Sequence, residues 1–290
     1  MTHALSRRAF SKGVLWSAGA GCWGARRAAA EAPQKLKVYL FVDMEGISGI
    51  TCSEQTVGAR HEEGGRLMAE DINACVDGCF AAGATEVIVK DGHWKGVNVD
   101  PKRIDPRATL IQGATPEVRF KDMDGSEALI LLGYHAKALT PGALLAHSYS
   151  SASIQGMWLN GREVGEIGVD AAIAAEHKVP VVMVSGCDKV AAEARDWIPG
   201  AVTCQTKRST GPQSAECLPL DAARRLIREK TVEALRRRKE IPLVSVPHPV
   251  TLRWDYLPKG ALRTYDPAFK PAPDPRRVVV AGDSVERLFF

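Results

Sequence analysis

Short apolar runs and amphipathic stretches alternate along this chain. Aliphatic and β-branched residues concentrate at Leu36–Val42, Glu86–Val89, Ala128–Leu132 and Pro180–Val184, each short enough to be a buried strand. Between or after them, apolar positions recur at helical spacing at about 62–82, 165–177, 188–195 and 218–239. In the first of these, apolar residues at 67, 68, 72, 75, 76, 79 and 80 share one face, the buried side of a helix. Such alternation predicts an α/β domain with a mostly parallel sheet and flanking helices. Asn160-Gly161, between Met157-Trp158-Leu159 and Val164, is the strongest short-range hairpin signal. The alternation stops near residue 240. Beyond it prolines crowd the chain, among them Pro247, Pro249, Pro258, Pro267, Pro271, Pro273 and Pro275. Residues 241–290 are therefore expected to form a smaller, β-rich or irregular lobe of the same unit as the 31–240 domain.

Charge divides the chain unevenly. The whole carries a formal +4, but Arg7, Arg8, Lys12, Arg26 and Arg27 give the first 30 residues +5 with no acid. Residues 31–290 are thus near neutral, at −1, which argues against nucleic acid or an anionic membrane as partner. The leading segment reads as an address. A basic start precedes a weakly apolar run from Gly13 to Trp23 and a small-residue cleavage site at Ala28-Ala29-Ala30, the layout of an export signal. That run is far short of the ~20 apolar residues needed to span a bilayer. Ser6-Arg7-Arg8-Ala9-Phe10-Ser11-Lys12 resembles a bacterial twin-arginine signal, so a periplasmic destination is expected. A lipoprotein site at Cys22 lacks the usual upstream leucine.

Two further patterns invite chemistry and do not sustain it. Gly19-Ala20-Gly21-Cys22-Trp23-Gly24, with Asp43 about twenty residues on, fits the dinucleotide-binding spacing. Its strand would be four residues long and its helix would stop by Pro33, too short for a crossover. After Cys22 the cysteines are Cys52, Cys75, Cys79, Cys187, Cys204 and Cys217. None forms C-x-x-C, so zinc-ribbon and thioredoxin signatures are absent; Cys75 and Cys79 read as small core residues of the first helix.

The chemistry gathers where strands stop. The first ends in Val42-Asp43-Met44-Glu45-Gly46, with Asp43 and Glu45 two apart and so on one side. Another ends in Lys90-Asp91-Gly92-His93, a third in Leu131-Leu132-Gly133-Tyr134-His135. Ligands of open parallel sheets collect at the carboxyl edge, and a set of carboxylates and imidazoles suits Zn²⁺ or a similar ion.

At these residues the sequence resembles a known family, the zinc-dependent D-aminopeptidases of the DppA type. The resemblance starts at Val42-Asp43-Met44-Glu45-Gly46-Ile47-Ser48-Gly49 and continues through Asp91-Gly92-His93 and Gly133-Tyr134-His135-Ala136. It passes Thr140-Pro141-Gly142, His147-Ser148 and Asn160-Gly161-Arg162 to Val164-Gly165-Glu166, and thins beyond residue 195. The segment from His135 to His147 is one residue longer than the family pattern. The resemblance implies two zinc ions held by Asp43, Glu45, His93, His135 and Glu166. Asp43 would bridge, with Glu45 and Glu166 favouring one ion and the histidines the other. It also implies a ring-like homo-oligomer, decameric in the family, whose channel admits only short peptides. Without the resemblance, Glu166 reads as a first-turn helix acid and His147 as a loop residue.

The chemistry implied is aminopeptidase hydrolysis of short peptides, including D-amino-acid peptides, by water activated between two ions. His147, at the family's catalytic histidine, is expected to act as an acid/base or oxyanion-stabilising residue. Asp91 and Ser148 are candidates to orient the ligating imidazoles. Asp188 reads as a helix cap, and Lys207-Arg208-Ser209-Thr210 as a solvated basic loop. Two other classes remain: a peptide- or metal-binding protein of the same fold without turnover, and the dinucleotide-binding oxidoreductase. A serine hydrolase lacks its G-x-S-x-G elbow.

Overall fold

The computed structural model describes residues 35–115 and 118–289; the segment expected to be an export signal, Cys22 and the glycine motif at 19–24 lie outside them. The chain opens with β1 (Lys37–Val42), α1 (His61–Ala81), β2 (Glu86–Asp91), β3 (Thr109–Ile111) and β4 (Ala128–Leu132). A hairpin of β5 (Ile154–Leu159) and β6 (Arg162–Glu163) leads into α2 (Glu166–Glu176), β7 (Val181–Cys187) and α3 (Asp188–Trp197). Then come β8 (Val202–Gly211), β9 (Ser214–Cys217), α4 (Leu220–Arg237), β10 (Val250–Tyr256), β11 (Arg276–Gly282) and α5 (Val285–Phe289).

Seven strands form one sheet in the order β3-β2-β1-β4-β7-β8-β9. All its pairings are parallel except β8 with β9. The predicted α/β architecture is therefore the observed one. β4 and β7 are buried along their whole length, as central strands covered on both faces must be. The chain runs from β1 outward to β2 and β3, then returns to β4 on the other side of β1. That reversal opens a crevice at the carboxyl edge between β1 and β4, the position where such sheets bind ligands.

The smaller sheet is antiparallel, in the order β11-β10-β5-β6. Two of its strands come from the proline-rich tail and two from the Asn160-Gly161 hairpin, so the tail is tied to the middle of the chain. Asn160 takes the left-handed conformation, with Gly161 beside it, as a two-residue hairpin turn requires.

Cys75 and Cys79 lie buried on α1 as expected. The cysteines of the described residues are all free thiols.

Candidate metal centre

Three strand ends deliver the candidate ligands. Asp43 and Glu45 follow β1, His93 follows β2 and His135 follows β4; all four are buried. Two glycines allow the β1 and β4 loops to cross. A Cβ on Gly46 would overlap the Tyr134 carbonyl, and one on Gly133 the Asp43 carbonyl. Gly133 is also at φ +74°, a conformation that side-chain-bearing residues resist. The loops are joined by hydrogen bonds from Asp43 N to Leu132 O (2.9 Å) and from Gly46 N to Gly133 O (2.7 Å). These contacts explain the glycines inside the D-M-E-G and L-G-Y-H strings.

All six residues picked out in the sequence converge. His93 Nδ1 lies 3.0 Å from Asp43 Oδ1 and 3.3 Å from Glu45 Oε2. His135 Nε2 lies 3.3 Å from Asp43 Oδ2 and 3.0 Å from Glu166 Oε1. The two oxygens of Asp43 thus face different histidines. This groups Glu45 with His93 and Glu166 with His135, a different division from the carboxylate and histidine sets that the family resemblance implies. The ring of His147 stacks on that of His135, centroids 3.7 Å apart, and its Nε2 is 4.0 Å from Glu166 Oε1.

The electrostatics are those of a site made for cations. Burial alone would raise the Asp43 carboxyl, but the imidazoles of His93, His135 and His147 draw it well below its usual range. Burial likewise opposes charge on His135, yet Glu166, Asp43 and Glu45 raise it to about 10. His93 is pushed well above its ordinary value against its burial, chiefly by Glu45 and Asp43. The hydrogen bonding gives the same message. His135 donates from Nδ1 to Ala136 O (3.0 Å), so in the neutral ring Nε2 presents a lone pair towards two carboxylates. Glu45 Oε2, His93 Nε2 and His135 Nε2 are buried without a hydrogen-bond partner, a costly state unless a further group joins them. Three carboxylates and two imidazoles are hard and borderline donors suited to zinc, so the residues present fit a divalent metal.

Glu166 is the first residue of α2, a helix apolar nearly all round and buried through Ala174. It accepts from Tyr149 N at 2.8 Å. Arg119 reaches its other oxygen at 3.4 Å and forms a two-point pair with Asp170 at 2.8 and 2.9 Å. Tyr134 donates its hydroxyl to Asp170 as well. Sequence reasoning missed this brace. Its one local signal is Asp170, four residues after Glu166 in a helix otherwise almost wholly apolar.

His147 sits in a loop whose ends are drawn together by His147 N to Ala136 O (3.3 Å) and Ala138 N to Ser148 Oγ (3.2 Å). Leu145 and Tyr149 take left-handed backbone at φ 47° and 56°, strain of the kind that accumulates around working sites. Ser148 therefore closes the loop instead of orienting an imidazole. Asp91 also differs from expectation: it accepts from Asn98 N and Asn98 Nδ2 (2.6 and 2.7 Å), and Asn98 in turn donates to His93 O (2.7 Å). It fixes the turn carrying His93, not the ring.

Two other readings are corrected. Asp188 is not the cap, a position held by Cys187; its carboxylate accepts from Ser209 N on β8 (2.8 Å). Lys207 is no solvated loop residue but a buried member of β8, donating to Glu45 O, Ile47 O and Ile50 O at 2.8, 2.8 and 2.6 Å. It clamps the loop that carries Glu45. Burial lowers its ammonium to about 8. Lys207→Met should take from three carbonyls a donor they share, with only Ile47 O keeping a backbone partner in Ile50 N, and lower stability by about 3–5 kcal/mol, with weaker zinc retention. Urea unfolding beside elemental analysis checks this; an unchanged unfolding midpoint would show that the loop holds itself.

A family model described as D-aminopeptidase matches residues 36–265, a span that takes in every residue of this centre. The chain belongs to the D-aminopeptidase family. Within it, the D-aminopeptidase of Bacillus subtilis (strain 168) is 38% identical over 222 residues, 74% of this chain and 80% of the relative. The solved structure of the Zn-dependent D-aminopeptidase DppA from Bacillus subtilis, a self-compartmentalizing protease, superposes with a TM-score of 0.77 at 30% identity. The match covers 87% of this chain and 93% of that one. Membership accounts for the fold and for the ordered motifs.

Proposed function

We propose that the protein is a metal-dependent aminopeptidase that cleaves short peptides from the N-terminus, with D-residues favoured there. The observation that carries this reading is the convergence of Asp43, Glu45, His93, His135 and Glu166, with buried atoms of Glu45, His93 and His135 lacking a hydrogen bond, in a chain of the D-aminopeptidase family. Two zinc ions are proposed, which Asp43, Glu45, His93, His135 and Glu166 would hold, because the two Asp43 oxygens face separate His–carboxylate pairs. Bound divalent ions supply Lewis acidity, polarising a carbonyl and acidifying water.

The chain's own residues supply the rest. His147 donates Nδ1–H to Leu145 O (2.9 Å), which leaves Nε2 as a proton acceptor beside Glu166. Burial and the neighbouring His135 keep its pKa below the ordinary value, which favours the neutral ring that can take a proton and return it to the leaving amine. Asp43, Glu45, His93, His147 and Glu166 line a cleft of about 480 Å³, a size suited to a small ligand. A closed homo-oligomer is proposed from the self-compartmentalizing neighbour. Export by the twin-arginine route to the periplasm is proposed from Ser6–Lys12.

Zinc-loaded protein offered paired L- and D-aminoacyl peptides tests the assignment. Release of the N-terminal residue, faster from the D-series and abolished by chelator, is the expected result. Full activity in chelator would remove the metal from the reaction; binding without turnover of either series would make the protein a silent member of the fold.

A further inference from the structure

The proline-rich tail does more than complete the second sheet. Thr264 donates its backbone N–H to Ser151 O and its hydroxyl to Ala146 O, both at 2.9 Å. Tyr265, buried, meets the ring of His147 edge-on at 6.3 Å. This strap therefore crosses the loop that holds His147, and it carries Arg263 into the wall of the same cleft. Arg263 donates one N–H to Ser151 Oγ at 2.8 Å, which pins one nitrogen of its guanidinium. Among the described residues it pairs with no carboxylate, whereas the other arginine lining the cleft, Arg119, is committed to Asp170 and Glu166.

The cleft is thus polarised. Asp43, Glu45 and Glu166 crowd one part of it, and a cation with free donors stands elsewhere on its wall. A short peptide has the complementary charges, an α-ammonium at one end and a carboxylate at the other. Guanidinium donors match a carboxylate in two-point geometry, and entry of the peptide would desolvate a group now open to water.

We propose that Arg263 binds the C-terminal carboxylate of the substrate and makes the enzyme select short peptides with a free C-terminus. The inference rests on the aminopeptidase reading for the direction in which the peptide lies. It assigns specificity to the strap and leaves bond cleavage to the centre already described.

The test compares a short D-aminoacyl peptide acid with its C-terminal amide, using full-length zinc-loaded protein. Both hydrolysis and binding by titration calorimetry are read. The parent should prefer the acid by about ten- to hundredfold, the usual effect of a lost charge-assisted hydrogen bond, mainly through KM. Arg263→Gln should bring the acid-to-amide ratio close to one, and Arg263→Lys should restore part of it. A preference unchanged in Arg263→Gln, or a parent indifferent to the two peptides, overturns the assignment. If neither peptide is cleaved by the parent, the aminopeptidase reading fails separately, and the binding ratios still decide the role of Arg263.

Discussion

Asp43→Ala is expected to empty the metal centre. Among the described residues Asp43 is the one whose carboxylate reaches both histidines, at 3.0 Å from His93 and 3.3 Å from His135, so its loss would remove a proposed ligand from each half of the site together with a charge that two cations would share. Bound metal stabilises the folded state by mass action, by about 2.7 kcal/mol at a hundredfold excess over Kd. For a chain of this size that corresponds to roughly 5–10 °C in melting temperature. The substitution also leaves two buried imidazoles without their shared partner, so the metal-free variant should itself melt below the metal-free parent. The two effects separate on chelation. The parent's melting temperature should drop when zinc is stripped, whereas that of Asp43→Ala should not move. A variant that keeps its zinc and the parent's response to chelator would show that Asp43 is not a shared ligand.

The readable part of this protein is the part where local pattern and tertiary role coincide. A continuous apolar run flags a strand buried on both faces, and β1, β2, β4 and β7 fall close to where such runs lie. Once the sheet is parallel, its carboxyl edge follows, and Asp43, Glu45, His93 and His135 can be selected because they end strands. Glu166 and His147 obey no such rule. An acid in the first turn of a helix is ordinary, and a histidine in an irregular loop carries no period. Only the family resemblance pointed to them.

Buried polar residues were the hardest to see. Lys207, Thr206 and Ser209 on β8 are all buried, yet a string of Thr, Lys, Arg and Ser reads as solvent-exposed. What makes Lys207 tolerable inside is a set of three carbonyls from a loop about 160 residues earlier in the chain. Burial of a charge is settled by distant partners, and a local window contains none of them. Arg119 and Asp170, 51 residues apart, are the same case, and so are Arg263 and Tyr265, which reach the cleft from a stretch with no periodic pattern at all.

His147→Ala should separate proton transfer from metal binding. His93 and His135 face the two oxygens of Asp43 and each meets a second carboxylate, Glu45 or Glu166, whereas the nearest carboxylate oxygen to His147 Nε2, on Glu166, is 4.0 Å away. Removing the ring should therefore leave the zinc content and its stabilising effect nearly intact. Hydrolysis should nevertheless fall steeply, by about 10²–10⁴-fold if the residue moves a proton in the rate-limiting step, and in kcat more than in KM because the ring would act on the transition state. The position is not free of ligand character, since His135, His147 and Glu166 place potential donor atoms within 4.8 Å of one another. Elemental analysis of the purified variant distinguishes the two roles. Zinc lost as readily as from Asp43→Ala would make His147 a ligand, and the strap bearing Tyr265 would then cover a metal site. Zinc and turnover both retained would reduce His147 to a stacking partner of His135, and the proton acceptor would have to be sought among the carboxylates of the cleft, with Glu166, already fixed by Tyr149 N and Arg119, the first to substitute.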